Sequence, residues 1–132
     1  MNVAGIGIDV VNIERFRRAV DRYGEHFLKK IFTAKELEYA QEKKGYSMHM
    51  AGKFAAKEAV KKALPGGAEI GLNWPEIEIL NDSEGKPCTC LYGNAERLMQ
   101  ENNLSKMLVS ISHTRELAVS NAIGVEHGKK TH

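Results

Sequence analysis

The amino-acid sequence predicts an α+β fold in which antiparallel strands and hairpins pack around one long helix. Apolar residues recur at helical spacing across residues 13–31, and a second helical segment covers residues 47–64. Alternating segments separated by turn residues predict strands and hairpins in the second half of the chain. Because these strands do not alternate regularly with helices, the pattern does not favour a parallel α/β architecture.

The chain begins with a predicted strand and a helix. Residues 3–8 form a short apolar run rich in glycine, which predicts a buried strand that ends at Asp9. Residues 13–31 carry apolar side chains at spacings of three and four, which predicts an amphipathic helix. We expect any break in this helix near Gly24, because glycine weakens a helix interior.

Two further helices are predicted in the middle of the chain. Thr33 followed by Glu36 is a capping-box pattern, which predicts a short helix that runs to about Lys43. The longest helix covers residues 47–64, with its first residue, a serine, as the N-cap. It ends at residues 65–67, a Pro-Gly-Gly sequence that stops a helix.

The second half of the chain is predicted to contain hairpins and one more helix. Ile77 and Ile79 alternate with Glu76 and Glu78, which predicts a strand whose acidic face lies in water. The elements that follow are predicted from turn residues, alternation and capping: a turn at 81–86, a strand at 87–92, a helix capped by Asn94 that runs to about Asn102, and strands at 107–113 and 117–125.

Length and composition limit the possible classes of protein. The 132 residues suit one domain, which we place at residues 1–125, with a loose tail without apolar side chains at residues 126–132. No segment approaches the ~18 consecutive apolar residues of a membrane-spanning helix, so we expect no membrane partner. The net charge of +2 is too even for non-specific binding to nucleic acid.

The N-terminus and the cysteines predict a cytoplasmic protein. The first apolar run has no basic region before it and contains Asp9, so it does not resemble a signal peptide. Cys88 and Cys90 lie two residues apart on a predicted strand, which is poor geometry for a disulfide and too few ligands for zinc. We therefore expect both cysteines to be buried packing residues.

Two acidic residues are candidates for binding a metal ion. Asp9 closes an apolar strand, and its carboxylate is either the N-cap of the next helix or a metal ligand. Glu58 either forms a surface pair with Lys62 at i,i+4 or turns inward as a second ligand. Magnesium commonly takes only one or two protein carboxylates and completes its shell with water and phosphate oxygens.

Basic residues supply candidates for binding anions. His113 ends a predicted strand on its apolar-patterned face, and it is either structural or a phosphate contact. Arg15, Arg18 and Arg22 share one face of the first helix, away from its apolar stripe. This face is either an ordinary solvated surface or a docking site for an acidic partner.

Five segments, taken in chain order, resemble the motifs of the holo-acyl carrier protein synthase family. They are residues 7–15, 32–36, 53–59, 85–87 and 109–113, and the resemblance extends over residues 3–125. The length agrees with the stand-alone bacterial type of this family. Lys53 departs from the pattern, since the family commonly has arginine there, and an ammonium group lacks the two-pronged geometry of a guanidinium.

The resemblance implies a 4′-phosphopantetheinyl transferase-like fold and activity. Such an enzyme moves the 4′-phosphopantetheine arm of coenzyme A to a serine of apo-acyl carrier protein, releases 3′,5′-ADP, and supports fatty acid biosynthesis. The family requires Mg²⁺ and forms homotrimers whose active sites lie between protomers. Phosphoryl transfer depends on positioning and charge stabilisation, which suits a metal ion among lysines.

The resemblance also implies the roles of individual residues. Asp9 and Glu58 would bind Mg²⁺, and Glu58 and Lys62 would take part in catalysis, with either Glu58 or a metal-held water as the base. The residues that would contact coenzyme A are Lys57, Lys62, Gly85, Pro87 and His113. Those that would dock the carrier protein are Arg15, Arg18 and Arg22.

Two other functions stay open when the residues are considered without the resemblance. A nucleotide-dependent hydrolase or kinase is disfavoured, because Gly66 and Gly67 are not followed by the Lys-Ser/Thr of a phosphate loop. A protein-binding or nucleic-acid-binding module would use the arginine face, and its binding would not depend on magnesium or coenzyme A.

Overall fold

A three-stranded antiparallel sheet and a separate two-stranded hairpin pack against the helix formed by Tyr46–Ala63. This arrangement is seen in a computed structural model that describes residues 2–128. The elements are β1 (Val3–Asn12), α1 (Ile13–Ile31), α2 (Ala34–Gln41), α3 (Tyr46–Ala63), a short 3-10 helix (Trp74–Glu76), β2 (Ile77–Asn81), β3 (Pro87–Leu91), α4 (Gly93–Glu101), β4 (Leu104–His113) and β5 (Leu117–Glu126). The α+β class is confirmed.

The three-stranded sheet has the order β1-β5-β4, so the first and last strands of the chain are neighbours. Both pairings are antiparallel, and β2 and β3 form the separate hairpin. One face of the sheet packs on α3, which contacts all three strands. Within residues 2–128, no helix combines the length and the apolar character needed to cross a membrane.

Helix α3 lies unusually close to β1, because small residues meet at their contact. A Cβ atom added to Gly5 would lie 1.9 Å from the carbonyl oxygen of Ala63, and one added to Gly7 would lie 1.9 Å from that of Ala59. Neither position could therefore carry a side chain without separating the strand from the helix.

The beginning of the chain differs from the prediction in one respect that bears on function. β1 does not end at Asp9 but continues to Asn12, whose side chain accepts a hydrogen bond of 2.9 Å from the backbone N–H of Arg15. Asn12 is thus the N-cap of α1, and the alternative that Asp9 caps this helix is wrong. The strand continues because β5 pairs with it along its whole length.

The local signals in the helices were mostly reliable. The capping box of Thr33 and Glu36 is present, with both reciprocal hydrogen bonds. Gly24 has non-helical angles, φ 67° and ψ −152°, so the expected break in α1 is confirmed. Helix α3 begins at Tyr46 after Gly45 in a left-handed conformation, so the serine N-cap predicted for this helix is wrong.

Several exposures predicted for the second half of the chain are wrong. Glu78 is buried rather than in water, because its carboxylate accepts hydrogen bonds from the hydroxyls of Thr33 and Tyr92. Cys88 is exposed and Cys90 is half-buried, so they are not the buried packing residues expected, although both are free cysteines. The N-cap of α4 is Tyr92 rather than Asn94.

The chain is ordered beyond the predicted domain boundary. Glu126 belongs to β5, and its N–H donates to the carbonyl of Asn2 at 2.9 Å. His127 donates to the carbonyl of Asn103 at 2.9 Å. The prediction of a loose tail is therefore wrong at its first two residues, and residues 129–132 lie outside the described part of the chain.

Candidate active site

Asp9 lies on the face of β1 that packs against α3, together with Gly7, since alternate residues of a strand share a face. Its side chain is 20% exposed and accepts a hydrogen bond of 3.1 Å from Lys62 Nζ. The same Nζ donates to the carbonyl of Ile8 at 3.0 Å. Lys62 itself is 54% exposed, so its ammonium group is accessible from solvent. A carboxylate and a mobile cation thus meet at the edge of the strand.

Glu58 faces Asp9 from the neighbouring helix. Its carboxylate lines the same groove as Asp9 and is close enough to feel the charge of Asp9. Burial raises the pKa of Glu58, and the negative charge of Asp9 raises it further, against the opposing influence of Lys61 and Lys62. The ion pair predicted between Glu58 and Lys62 is not the one formed, since Lys62 pairs with Asp9.

The two carboxylates line one open groove of about 460 Å³, which we call the Asp9–Glu58 groove. Arg15 contributes a positive charge to this groove from the first turn of α1. Phe16, Phe27 and Phe54 line its apolar part, and the rings of Phe16 and Phe54 stack at 5.8 Å. The groove therefore combines paired acids, a cation and an apolar wall.

The donor set of this groove fits a hard divalent cation. Among residues 2–128, no cluster of three or more His, Cys, Asp and Glu side chains could hold a metal ion. A pair of carboxylates is nevertheless the usual protein contribution to a magnesium site that is completed by water and phosphate oxygens. Burial is the main reason why the pKa of Glu58 is raised, and the negative charge of Asp9 adds to it, so a dication between the two carboxylates would relieve their repulsion.

Lys57, which the resemblance assigns to coenzyme A, is not available to a ligand. Its side chain is completely buried, and its Nζ donates to Glu36 Oε1 at 2.8 Å and to two backbone carbonyls. All three ammonium protons are therefore used inside the protein. Because this ammonium group is buried and bonded inside the protein, the structure does not support a direct contact between Lys57 and coenzyme A.

The other residues assigned to coenzyme A lie outside the Asp9–Glu58 groove. Gly85, with φ 83°, and Pro87 belong to the turn and first residue of the β2–β3 hairpin. His113 ends β4 and is exposed. The chain thus brings Asp9 and Glu58 together at the groove, with Lys62 paired to Asp9, and leaves Gly85, Pro87 and His113 on other surfaces.

A cluster of basic residues lies around the first turns of α3, and no pattern in the sequence predicted it. The pKa of His49 is lowered by burial and then by the positive charges of His113, Lys43 and Lys53. Lys53 is itself buried, donates to the carbonyl of Ile79 at 2.8 Å, and has a pKa lowered chiefly by burial. Only the fold brings His113 to the side of His49, because 64 positions separate them in the chain.

The three arginines of α1 are exposed, as predicted. Arg15 lines the Asp9–Glu58 groove, Arg18 approaches Glu14 at 3.5 Å, and Arg22 lies 5.4 Å from the ring centre of Tyr23. The arginine face therefore begins at the groove and continues along the helix.

Comparisons with known proteins identify the family of the chain. The model of the 4′-phosphopantetheinyl transferase superfamily matches residues 5–121. A holo-[acyl-carrier-protein] synthase of Geotalea daltonii is 43% identical over 118 residues, which cover 89% of this chain and 94% of that protein.

Solved structures of related enzymes share the fold. The acyl carrier protein synthase of Plasmodium yoelii with ADP bound has a TM-score of 0.84 at 30% identity, and the match covers 96% of this chain and 98% of the Plasmodium yoelii chain. The holo-[acyl-carrier-protein] synthase of Helicobacter pylori in complex with coenzyme A has a TM-score of 0.77 at 32% identity, and the match covers 90% of this chain and 98% of the Helicobacter pylori chain. The chain therefore belongs to the 4′-phosphopantetheinyl transferase superfamily and, within it, to the holo-[acyl-carrier-protein] synthase family.

Proposed function

We propose that this protein transfers 4′-phosphopantetheine from coenzyme A to a serine of apo-acyl carrier protein and releases 3′,5′-ADP. The observation that carries the proposal is the convergence of Asp9 and Glu58 at one groove beside an exposed arginine face, with Lys62 paired to Asp9. The similarity to holo-[acyl-carrier-protein] synthases supports the carrier protein as one substrate, and the Helicobacter pylori complex supports coenzyme A as the other.

In the proposed reaction, Asp9 and Glu58 hold Mg²⁺. When bound, the metal offsets negative charge on the diphosphate of coenzyme A. Lys62 binds the same diphosphate, because its exposed ammonium group can turn from Asp9 toward a phosphate oxygen. Glu58 is one candidate acceptor for the serine proton, and a metal-held water is the other.

The remaining contacts to coenzyme A are proposed for Gly85, Pro87 and His113. Since these residues do not line the Asp9–Glu58 groove of their own protomer, a neighbouring protomer would have to supply them. His113 is supported by the cationic cluster beside it, which suits a phosphate group. Lys57 is left out of this proposal, because its ammonium group is fully used in the interior.

We propose a homotrimer, and the outer face of the three-stranded sheet supports an interface between protomers. This face carries exposed apolar side chains, of which Ile6 is 70% exposed. Ile6 and Leu108 both lie beside Ile123, so they form one row across the three strands. An exposed apolar sheet face of this kind is typical of a protein interface. The other exposed members are Ile8, Val10 and Leu117.

Replacing Ile6 and Leu108 together by lysine is expected to convert the assembly into monomers. Two charges at the centre of the apolar row would have to be desolvated in the interface. Analytical ultracentrifugation at fixed protein concentration measures the change. Tyr23→Lys, at an exposed aromatic residue of α1, is the matched control and is expected to leave the mass unchanged. A double variant that sediments like the unmodified protein would contradict this interface.

Docking of the carrier protein is proposed for Arg15, Arg18 and Arg22, because an acidic protein would be attracted to this face. Changing Arg18 and Arg22, which do not line the Asp9–Glu58 groove, to Glu is expected to raise the apparent KM for carrier protein by roughly tenfold and to leave that for coenzyme A nearly unchanged. The effect should shrink at high salt, since exposed charges are screened over about 8–10 Å.

Arg97→Glu is the matched control for the arginine face. Arg97 is an exposed arginine on α4, where it pairs with Glu101 at 3.5 Å. Its reversal is expected to leave both KM values unchanged. Equal increases in the two KM values for the α1 variant would argue against a docking site and for general damage.

The transfer itself is tested by mass spectrometry of apo-acyl carrier protein incubated with the protein, coenzyme A and MgCl₂. We expect the carrier protein to gain the mass of one 4′-phosphopantetheine arm and 3′,5′-ADP to appear in equal amount. A chelator should stop the reaction, and ATP in place of coenzyme A should give no product. A carrier protein of unchanged mass would overturn the proposal. A role in fatty acid biosynthesis and a cytoplasmic location are proposed on the same family resemblance.

A further inference from the structure

Lys57 and Glu36 form an ion pair that no solvent reaches, and the reaction described above does not use it. Both side chains are 0% exposed. Lys57 Nζ donates to Glu36 Oε1 at 2.8 Å, to the carbonyl of Trp74 at 3.2 Å and to the carbonyl of Ile77. The ammonium group therefore joins α3 to α2, to the short 3-10 helix and to the beginning of β2.

Glu36 extends this set of contacts on the other side. Its Oε1 also accepts from the backbone N–H of Thr33 at 2.8 Å, and its Oε2 accepts from the N–H of Ile79 at 2.9 Å. The N-terminus of α2 and the middle of β2 are thus tied to the same carboxylate. One buried pair connects four elements by five directional hydrogen bonds.

Stability alone does not account for such a pair. Removing two charges from water is costly, and replacing a buried ion pair by apolar residues is often neutral or stabilising. A buried pair instead restricts the relative orientation of the elements that it connects, because all its hydrogen bonds form in only one arrangement of them. Here that arrangement specifies how α3 is rotated about its own axis.

The opposite side of α3 is held by a different contact. The carbonyl oxygens of Ala59 and Ala63 touch β1 where Gly7 and Gly5 leave room for them. This contact sets the distance between helix and strand, but small residues alone allow the helix to rotate. Glu58 lies between the two contacts, directly after Lys57 in the chain.

We propose that the Glu36–Lys57 pair is a positioning device that fixes the rotation of α3, so that Glu58 faces Asp9. Lys57 and Glu36 act through Glu58 and are not catalytic residues. The inference rests on the proposed function, because it concerns the metal-binding geometry of that site.

The test uses the full chain and measures Mn²⁺ affinity of the free protein by electron paramagnetic resonance. In Glu36→Gln/Lys57→Met both charges are removed together, so that neither is left buried alone. We expect the affinity for Mn²⁺ to fall roughly tenfold or more, as for other residues that orient metal ligands. In the transfer assay kcat should fall, while KM for carrier protein should stay within about twofold.

A stability control separates positioning from general weakening. Leu98→Ala removes a buried side chain of α4 and leaves a cavity away from the Asp9–Glu58 groove. Compared at a temperature where circular dichroism shows each variant folded, Leu98→Ala should bind Mn²⁺ as the unmodified protein does. An equal loss of affinity in both variants, or unchanged affinity in Glu36→Gln/Lys57→Met, would overturn the proposal.

Glu36→Asp covers the case in which the double variant does not fold. It keeps the charge but withdraws the carboxylate by one methylene, so Lys57 and α3 must shift to keep the pair. We expect a smaller but measurable loss of Mn²⁺ affinity, and unchanged affinity would overturn the positioning role. Binding by the unmodified protein that Asp9→Asn does not weaken would instead overturn the proposed metal site itself.

Discussion

Changing Asp9 or Glu58 to Ala is expected to lower the rate of phosphopantetheine transfer by at least about a hundredfold. Each change removes one of the two carboxylates proposed to hold the metal, and the metal ion supplies several kcal/mol of charge stabilisation in such reactions. Single-turnover kinetics with excess enzyme measure the chemical step directly. Asp9→Asn and Glu58→Gln should act in the same direction, because they keep the shape of the side chain but remove its charge.

The same variants are expected to fold. The pair of Asp9 and Lys62 is worth less than about 1 kcal/mol, because the lysine is more than half exposed. The free energy lost with this pair is partly offset, because removing the charge of Asp9 also removes its repulsion with Glu58. Urea unfolding of Asp9→Asn should therefore give a free energy within about 1 kcal/mol of the unmodified protein.

Glu69→Gln is the control for the removal of an acidic residue. Glu69 is exposed in the segment after α3 and lies outside the Asp9–Glu58 groove. Its transfer rate should equal that of the unmodified protein. Full activity in Asp9→Ala or Glu58→Ala, at any magnesium concentration, would exclude the carboxylate pair as the metal site.

Gly7→Ala is expected to lower the free energy of unfolding by about 3 kcal/mol, at the upper end of the usual cost of overpacking. The new Cβ would lie 1.9 Å from the carbonyl oxygen of Ala59. Since that oxygen belongs to the helix backbone, no side-chain rotation can make room, and β1 must move away from α3. Urea unfolding measures the loss.

Function should also suffer in Gly7→Ala, because Asp9 lies two residues further along the displaced strand. A displacement of about 1 Å at a catalytic group can cost roughly a hundredfold in rate. Gly71→Ala is the matched control, since a Cβ there meets nothing within 4 Å. Its stability should change by less than about 0.5 kcal/mol. Equal stabilities of the two variants would show that β1 and α3 tolerate a wider spacing.

Local patterns predicted the features that depend on neighbours in the chain. The capping box of Thr33 and Glu36 and the break at Gly24 were confirmed, because both depend on a few successive residues. The order of helices and strands followed from periodicity for the same reason. The motifs also indicated the family, since their residues and order are properties of the chain itself.

The same reasoning misjudged polar side chains whose partners are distant in sequence. Glu78 was expected in water because it alternates with isoleucines, but Thr33 and Tyr92 satisfy its carboxylate in the interior. The family resemblance, rather than any local pattern, assigned Lys57 to coenzyme A, yet Lys57 pairs with Glu36, 21 positions earlier in the chain. A polar group is tolerated in the interior only where the fold supplies a hydrogen-bond partner. The alternation of polar and apolar residues along a strand does not show whether such a partner exists.

The sequence by itself therefore determined the kind and order of the secondary-structure elements, the family, and the residue types available for chemistry. Only the tertiary structure decided which of those residues meet. In the folded chain Asp9 lies near Glu58, and Lys62 forms its ion pair with Asp9 rather than with Glu58. Lys57 forms a fully buried ion pair with Glu36. The physical reason is that periodicity acts over one or two turns, whereas ion pairing and burial depend on distances that the packing of whole elements sets.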